Sequence, residues 1–418
     1  MWTDASIFCF AVFFLAINPG CKPGLNLIDI DEDADADPVI AQAPEDTISI
    51  IEPVASPSTG GFSFSFGGGG TGSGGGSVSL APAPPLLAHD PARMVQDGAF
   101  LVFYYSGLEY ISFNLQTREW DTGVGDCEED WCILRGESRP EWITERLGNA
   151  IDGNPIEVGA APGMDGPRTI YYSVTDWELD NGSACIGRAT ATGVFPNLEW
   201  VDDGTPVLCS TADSVNSQGD TYAIDPAIFE GFDDTLWMVY GSHYSGIYVV
   251  ELDPETGHLR DDLEEDFTGT ASNVLVASNP LDEDNGDPER IAQGLAGIEA
   301  AFVYPNDGYY YLFVNWGACC NGADSTYSIR VGRSEHPTGP FLDQDDIPLL
   351  ASGGTPLIET NGSEVGPGHA GVTPYRGTFV FTYHYYDADN QGAGTLGHRE
   401  LIFNDDGWPV LGTEPFLY

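Results

Sequence analysis

Lysine is almost missing from this chain. Lys22 is the only one in 418 residues, and Lys and Arg together number 14 against 65 Asp and Glu, for a formal net charge of −51. A chain so short of cations has no basic surface with which to hold phosphates, so nucleic acid is excluded as a partner, and a polyanionic pectin is repelled in the same way. A neutral polysaccharide has no charge to repel. The acid excess reads as a solvated surface suited to salty surroundings. Membrane-length hydrophobic runs are also lacking, since the apolar stretch from Ile7 to Ile17 is too short to cross a bilayer. No C-x-x-C pairs with a second C-x-x-C or with H-x-x-x-H, which argues against the common zinc sites.

The short apolar run does fit the core of a signal peptide ending before Pro19-Gly20-Cys21, so residues 1–23 are read as a leader and the protein as exported, to the cell surface or beyond. Its opening, Met-Trp-Thr-Asp, lacks the usual positive charge, and Asn18-Pro19-Gly20-Cys21 departs from a lipobox. Two outcomes stay open: a lipid anchor at Cys21, or ordinary cleavage nearby. Residues 24–84 run through an acidic patch, Asp29 to Asp37, and then a Gly/Ser-rich stretch from Gly61 to Gly76, and are read as a disordered tether. Cys9 and Cys21 belong to the leader, leaving Cys127, Cys132, Cys185, Cys209, Cys319 and Cys320 in the body. In an exported protein these are structural disulfide formers. Cys185 to Cys209 is the bridge expected between neighbouring strands.

From Leu86 onward the texture changes to short apolar and aromatic runs broken by Gly, Asp, Asn and Pro, with no long helical period, which is the pattern of an all-β domain. Aromatic residues make up 12% of the chain, enough to fill a large core and still line a groove. A repeated unit, a small or acidic start followed by an apolar run, a turn and an aromatic-dense strand, begins at Asp90, near Ala161, at Asp225, at Glu299 and at His369. Units of roughly seventy residues hold four strands each, which is one propeller blade. Residues 85–418 are therefore expected to form a five-bladed β-propeller, and the protein is expected to be a monomer.

In a propeller the residues that open equivalent inner strands converge at one mouth of the channel, although they lie far apart in sequence. Asp90, Asp225, Glu299 and His369 hold such positions. Glycosidic hydrolysis needs a carboxylic acid to protonate the leaving oxygen and a carboxylate to activate water or attack carbon. Three acids at blade starts meet that need, although an Asp before Pro is also a common strand-entry turn. Tyr222, Tyr244, Trp316 and Tyr386 lie at strand ends or loops, where each is either a sugar platform or ordinary blade packing.

The segments His89-Asp90-Pro91, Ala223-Ile224-Asp225-Pro226 with LWMVYGSHYSGIYVVEL, Gly297-Ile298-Glu299, YYYLFVNWGACCNGADSTYSIRVGRS and Gly366-Pro367-Gly368-His369 resemble glycoside hydrolase family 43, in particular its endo-acting α-1,5-L-arabinanases. The resemblance implies a five-bladed propeller that cleaves arabinan or arabino-oligosaccharides with inversion. Asp90 is then the general base, Glu299 the general acid, and Asp225 the residue that raises the acid's pKa and orients it. His369 corresponds to a channel histidine that helps hold a metal, usually calcium, through a shell of waters. Two departures touch the groove: Ala160-Ala161-Pro162-Gly163 stands where the family commonly has Trp-Ala-Pro-Asp, and Tyr222 replaces a frequent Asn. Alternatives are an exo-acting arabinofuranosidase or β-xylosidase of the same fold, a sugar-binding propeller without turnover, and a purely structural surface propeller.

Overall fold

Runs of β-branched and aromatic residues such as FLVFYY, TIYYSVT and TFVFTYHYYD are bounded by Gly, Asn and Asp turns, and each becomes a strand half or wholly buried between neighbouring sheets. In the computed structural model of the chain, the described residues are 86–106, 109–122, 140–147, 158–160, 169–175, 183–211, 221–260, 273–279 and 297–418. The leader, the tether, Cys21, Cys127, Cys132 and the segment from Ala161 to Gly163 lie outside them.

The strands form five antiparallel sheets in chain order. Blade one is β1 (Val95–Asp97), β2 (Phe100–Tyr105), β3 (Glu109–Asn114) and β4 (Glu119–Asp121). Blade two is β5 (Val158–Ala160), β6 (Thr169–Thr175), β7 (Ala184–Val194) and β8 (Asn197–Asp202), with β9 (Leu208–Ser210) also pairing with β7. Blade three is β10 (Ala227–Glu230), β11 (Leu236–Tyr240), β12 (Gly246–Leu252) and β13 (Val274–Ser278). Blade four is β14 (Ile298–Asn306), β15 (Tyr309–Trp316), β16 (Ser328–Ser334) and β17 (Thr355–Ile358). Blade five is β18 (Glu364–Tyr375), β19 (Thr378–Asp387), β20 (Ala393–Phe403) and β21 (Pro409–Pro415). A short helix, α1 (Glu141–Leu147), buries Trp142, Ile143 and Leu147, with the Trp142 indole N–H donating to Asp202 at 3.0 Å.

This is the five-bladed β-propeller expected from the repeat. The first strands of successive blades pack on one another, β5 on β10, β10 on β14 and β14 on β18, so they line the centre. Among the described residues the ring closes through backbone hydrogen bonds. Leu86–Ala88 runs along the start of β20, with the Ala88 and Leu396 amides donating to Gly394 and Leu86 carbonyls at 3.1 and 2.7 Å. Interlocked apolar side chains such as Phe313 and Phe381, with ring centroids 5.8 Å apart, fill the space between blades.

Cys185 and Cys209 face each other across β7 and β9 and form the expected disulfide. A second disulfide joins the adjacent residues Cys319 and Cys320, a pairing the sequence reading does not single out.

Candidate active site

The inner-strand entrances share a backbone feature. Asp90, Asp225, Ala300 and His369 all have positive φ, from 48° to 62°. For residues with a Cβ this conformation costs roughly 1 kcal/mol or more and persists only where the surroundings enforce it. Three of the four are enforced by a side chain that captures the strained amide. The Asp90 N–H donates to His384 Nδ1 at 3.1 Å, the Ala300 N–H to Asp225 Oδ2 at 2.7 Å, and the His369 N–H to Asn315 Oδ1 at 3.0 Å. Register shifts in the ladders next to Glu299 and around Gly368 bend β14 and β18 at the same places.

Asp90 is buried within a histidine shell. Its Oδ2 lies 2.7 Å from His89 Nδ1 and accepts the Ser106 hydroxyl at 3.1 Å, while His369 Nδ1 and His384 Nδ1 each lie 3.3 Å from Oδ1. Burial pushes the Asp90 carboxyl up, but the His89 charge and the hydrogen bonds with His369 and His89 outweigh it and hold the group well below the usual range. Asp90 is thus ionised, as a general base must be. His384 is fully buried and, because its Nδ1 accepts the Asp90 amide, carries its proton on Nε2; burial first, then the neighbouring His89 charge, pushes it down to about 4. His89 stacks on His384 at 4.3 Å, and its Nε2 lies 2.7 Å from the Tyr386 hydroxyl, which accepts the Cys320 amide at 2.7 Å.

Glu299 leads β14. Its Oε2 accepts the Ser242 hydroxyl at 2.6 Å, its Oε1 accepts the Tyr327 hydroxyl, and His243 Nδ1 lies 3.4 Å from Oε2. Burial raises this carboxyl, yet the His243 charge and the hydrogen bonds from His243, Ser242 and Tyr327 overcome burial and hold it at about 2. The direction is opposite to the raised pKa expected from Asp225. Asp225 is buried, and its hydrogen bond goes to the Ala300 amide, so its contact fixes the strand that carries Glu299.

Tyr327 ties the three acids together. Burial, then the charges of Glu299, Asp225 and Asp90, push its phenol well above the usual range, so the hydroxyl stays protonated in the field of all three carboxylates. A Cβ on Gly368 would lie 2.3 Å from the Tyr327 ring, so only glycine lets β18 pass beneath it.

The aromatic candidates divide. Tyr222 and Tyr244 pack edge to face at 4.9 Å, with Tyr222 buried and Tyr244 partly open. Trp316 is 8% exposed with the Arg330 guanidinium 4.4 Å over its ring, so it offers a sugar little surface and serves mainly as packing. Tyr386 is likewise buried and engaged by Cys320 and His89.

Among the described residues, His89, Asp90 and His384 bring metal-capable atoms within 4.8 Å of one another, with His369 alongside. This donor set is rich in imidazole, and both Asp90 oxygens are already engaged. It does not fit a calcium held directly by the chain, because calcium takes oxygen ligands.

Sequence reading did not find His384, Ser242, His243 or Asn315 as site residues, and placed Tyr327 in a motif without giving it a role. His384, Ser242, His243 and Asn315 each act on a residue of another blade, a relation with no fixed spacing along the chain.

A propeller whose blade entrances bring two buried carboxylates, Asp90 and Asp225, and the largely buried Glu299 to one end of the channel has the arrangement of a glycoside hydrolase. The chain belongs to glycosyl hydrolases family 43, whose profile matches residues 161–409, a span that holds Asp225, Glu299 and His369 and begins after Asp90. It is similar to the extracellular exo-α-(1→5)-L-arabinofuranosidase of Cellvibrio japonicus, with 31% identity over 245 residues, 58% of this chain and 65% of that protein. Similarity to the extracellular endo-α-(1→5)-L-arabinanase 1 of Bacillus subtilis is also 31% over 245 residues, covering 59% of this chain and 65% of that one. The aligned part therefore spans just under two thirds of either relative. A crystal structure of an exo-1,5-α-L-arabinanase from a bovine ruminal metagenomic library superposes with a TM-score of 0.61 at 26% identity, covering 78% of this chain and 97% of that one.

Proposed function

We propose that the protein is an exported arabinanase that hydrolyses α-1,5-linked L-arabinan by an inverting acid/base reaction, with endo action. In this reading Asp90 takes the proton of the attacking water, Glu299 protonates the leaving oxygen, and Asp225 holds the strand on which Glu299 sits. The observation that carries it is the linkage of acids from three blades: Tyr327 donates to Glu299 and stacks on His384, the ring that captures the Asp90 amide, while Asp225 holds the amide that follows Glu299. Inversion needs room for a water between base and acid, about 6.5 to 9.5 Å between the carboxyls. Neutral arabinan suits a chain with a formal charge of −51.

The partly open Tyr244, packed edge to face on the buried Tyr222, is the aromatic contact we assign to the sugar. The family metal enters in the one form the donors permit, a calcium held through its own waters beside His369, where its charge would steady the channel; no step of the reaction passes through it.

Similarity to both exo- and endo-acting relatives supports a second reading, exo action on the same polymer. Sizing the products of debranched arabinan separates the two. A spread of oligosaccharides at early times is expected, and steady release of arabinose alone would establish exo action.

A further inference from the structure

A carboxyl held at about 2 carries no proton at neutral pH, yet the reaction proposed for Glu299 needs one there. The proton has a source in the loop after β11. Ser242 has a single hydroxyl hydrogen and donates it to Glu299 Oε2 at 2.6 Å. Its oxygen also lies 2.7 Å from His243 Nδ1. With the serine hydrogen already committed, His243 must be the donor in that second bond. The geometry thus fixes the imidazole with its proton on Nδ1 and aligns a chain from His243 through Ser242 to Glu299.

The ring is built into this position. His243 has a left-handed backbone with φ of 54°, its amide donates to the Ile298 carbonyl at 2.8 Å, and a Cβ on Gly297 would lie 2.8 Å from His243 Nε2. Half of its side chain, 50%, remains exposed, whereas the Glu299 side chain is 12% exposed. The imidazole can therefore exchange protons with water while the carboxylate behind it is shielded. The titratable groups on this side are Glu299 on β14, with Tyr327 on its other oxygen, Asp225 bonded to the next amide, and Tyr244 beside His243 in the loop.

We propose that His243 and Ser242 supply Glu299 with the proton it donates: the imidazolium passes its Nδ1 proton to Ser242 Oγ as Ser242 passes its own hydrogen to Glu299 Oε2. Imidazolium and carboxylate become neutral imidazole and carboxylic acid, with Ser242 unchanged. A sugar bound over Glu299 drives the transfer, because excluding water disfavours the charged pair more than the neutral one. Glu299 then protonates the glycosidic oxygen as its bond to the anomeric carbon breaks; water adds to that carbon and yields its proton to Asp90. His243 takes a fresh proton from solvent and Asp90 releases one, so the cycle balances. His243 is a positioning residue that acts through Glu299 and does not touch the reacting atoms.

This inference rests on the acid role assigned to Glu299, and the test has one arm with turnover and one without. In the first arm, His243→Asn keeps an N–H toward Ser242 but has no proton to release. On debranched arabinan its kcat at pH 7 should fall about tenfold or more with KM little changed, and the basic limb of its pH profile should move to lower pH. Ser242→Ala should move the same limb in the same direction. On an aryl arabino-oligosaccharide with a 2,4-dinitrophenyl leaving group, which needs little protonation, the loss should be smaller. An unmoved basic limb in both variants, or equal loss on both substrates, overturns the proposal. In the second arm, imidazole NMR follows the His243 ring without substrate; its titration midpoint should lie higher in the wild type than in Glu299→Gln. Equal midpoints overturn the coupling even if arabinan is not the substrate. A wild type inactive on arabinan with the expected NMR difference faults the substrate reading and leaves the proton chain standing.

Discussion

The carboxylate of Asp225 accepts the backbone N–H of Ala300, the residue that follows Glu299, at 2.7 Å. Asp225 therefore grips the strained peptide that aims the acid. Asparagine at 225 retains an acceptor for that amide, whereas alanine leaves a buried N–H unpaired, at about 1 to 3 kcal/mol. Urea unfolding should show a loss of that order for Asp225→Ala and a clearly smaller one for Asp225→Asn. Equal losses would mean that the charge, and not the accepted hydrogen bond, is what the fold uses.

Acid should destabilise the protein from near neutrality downward. His384 is buried and His398 half-buried, and desolvation pushes both down to about 4 from 6.5. The unfolded chain takes up protons at these positions below pH 6.5, while the folded chain takes them up only near pH 4. Stability is thus lost as pH falls through that window, on the order of a few kcal/mol for the pair. Glu299, held low, adds a further loss of the same sign as pH falls from 4.5 toward 2. Thermal midpoints measured from pH 7 to 4 should fall steadily, and His398→Phe should flatten the slope. A flat profile over that range would contradict the neutral His384 and His398.

The proposed water-mediated calcium is tested by chelation. Dialysis against a chelator should lower the thermal midpoint of the wild type, added calcium should restore it, and His369→Ala should abolish the response. A wild type indifferent to chelator, or a His369→Ala variant that responds fully, removes calcium from this channel.

Much of the architecture was legible in the chain because a propeller blade is a local unit. Its four strands follow in order, so the repeat from Asp90 to His369 carries the blade count, and the alternation within strands carries the faces. The three acids were legible for the same reason, since each opens an inner strand. What holds them was not. His384 captures the Asp90 amide from β19, Asn315 captures the His369 amide from β15, and Ser242 with His243 reaches Glu299 from the loop after β11. No periodicity encodes such contacts. Trp316 misleads in the opposite sense: an aromatic at a strand end reads as a platform, but Arg330 covers its ring.

The account stands or falls on acid and base acting on opposite faces of the scissile bond through Glu299 and Asp90, and the anomeric form of the first product reports on this directly. Proton NMR of debranched arabinan during the first minutes of hydrolysis should show new reducing ends appearing as the β-anomer, before mutarotation. The signal should be lost in both Glu299→Gln and Asp90→Asn, each with an unchanged circular-dichroism spectrum. First-formed α-anomer, or substantial hydrolysis by either variant, would contradict it.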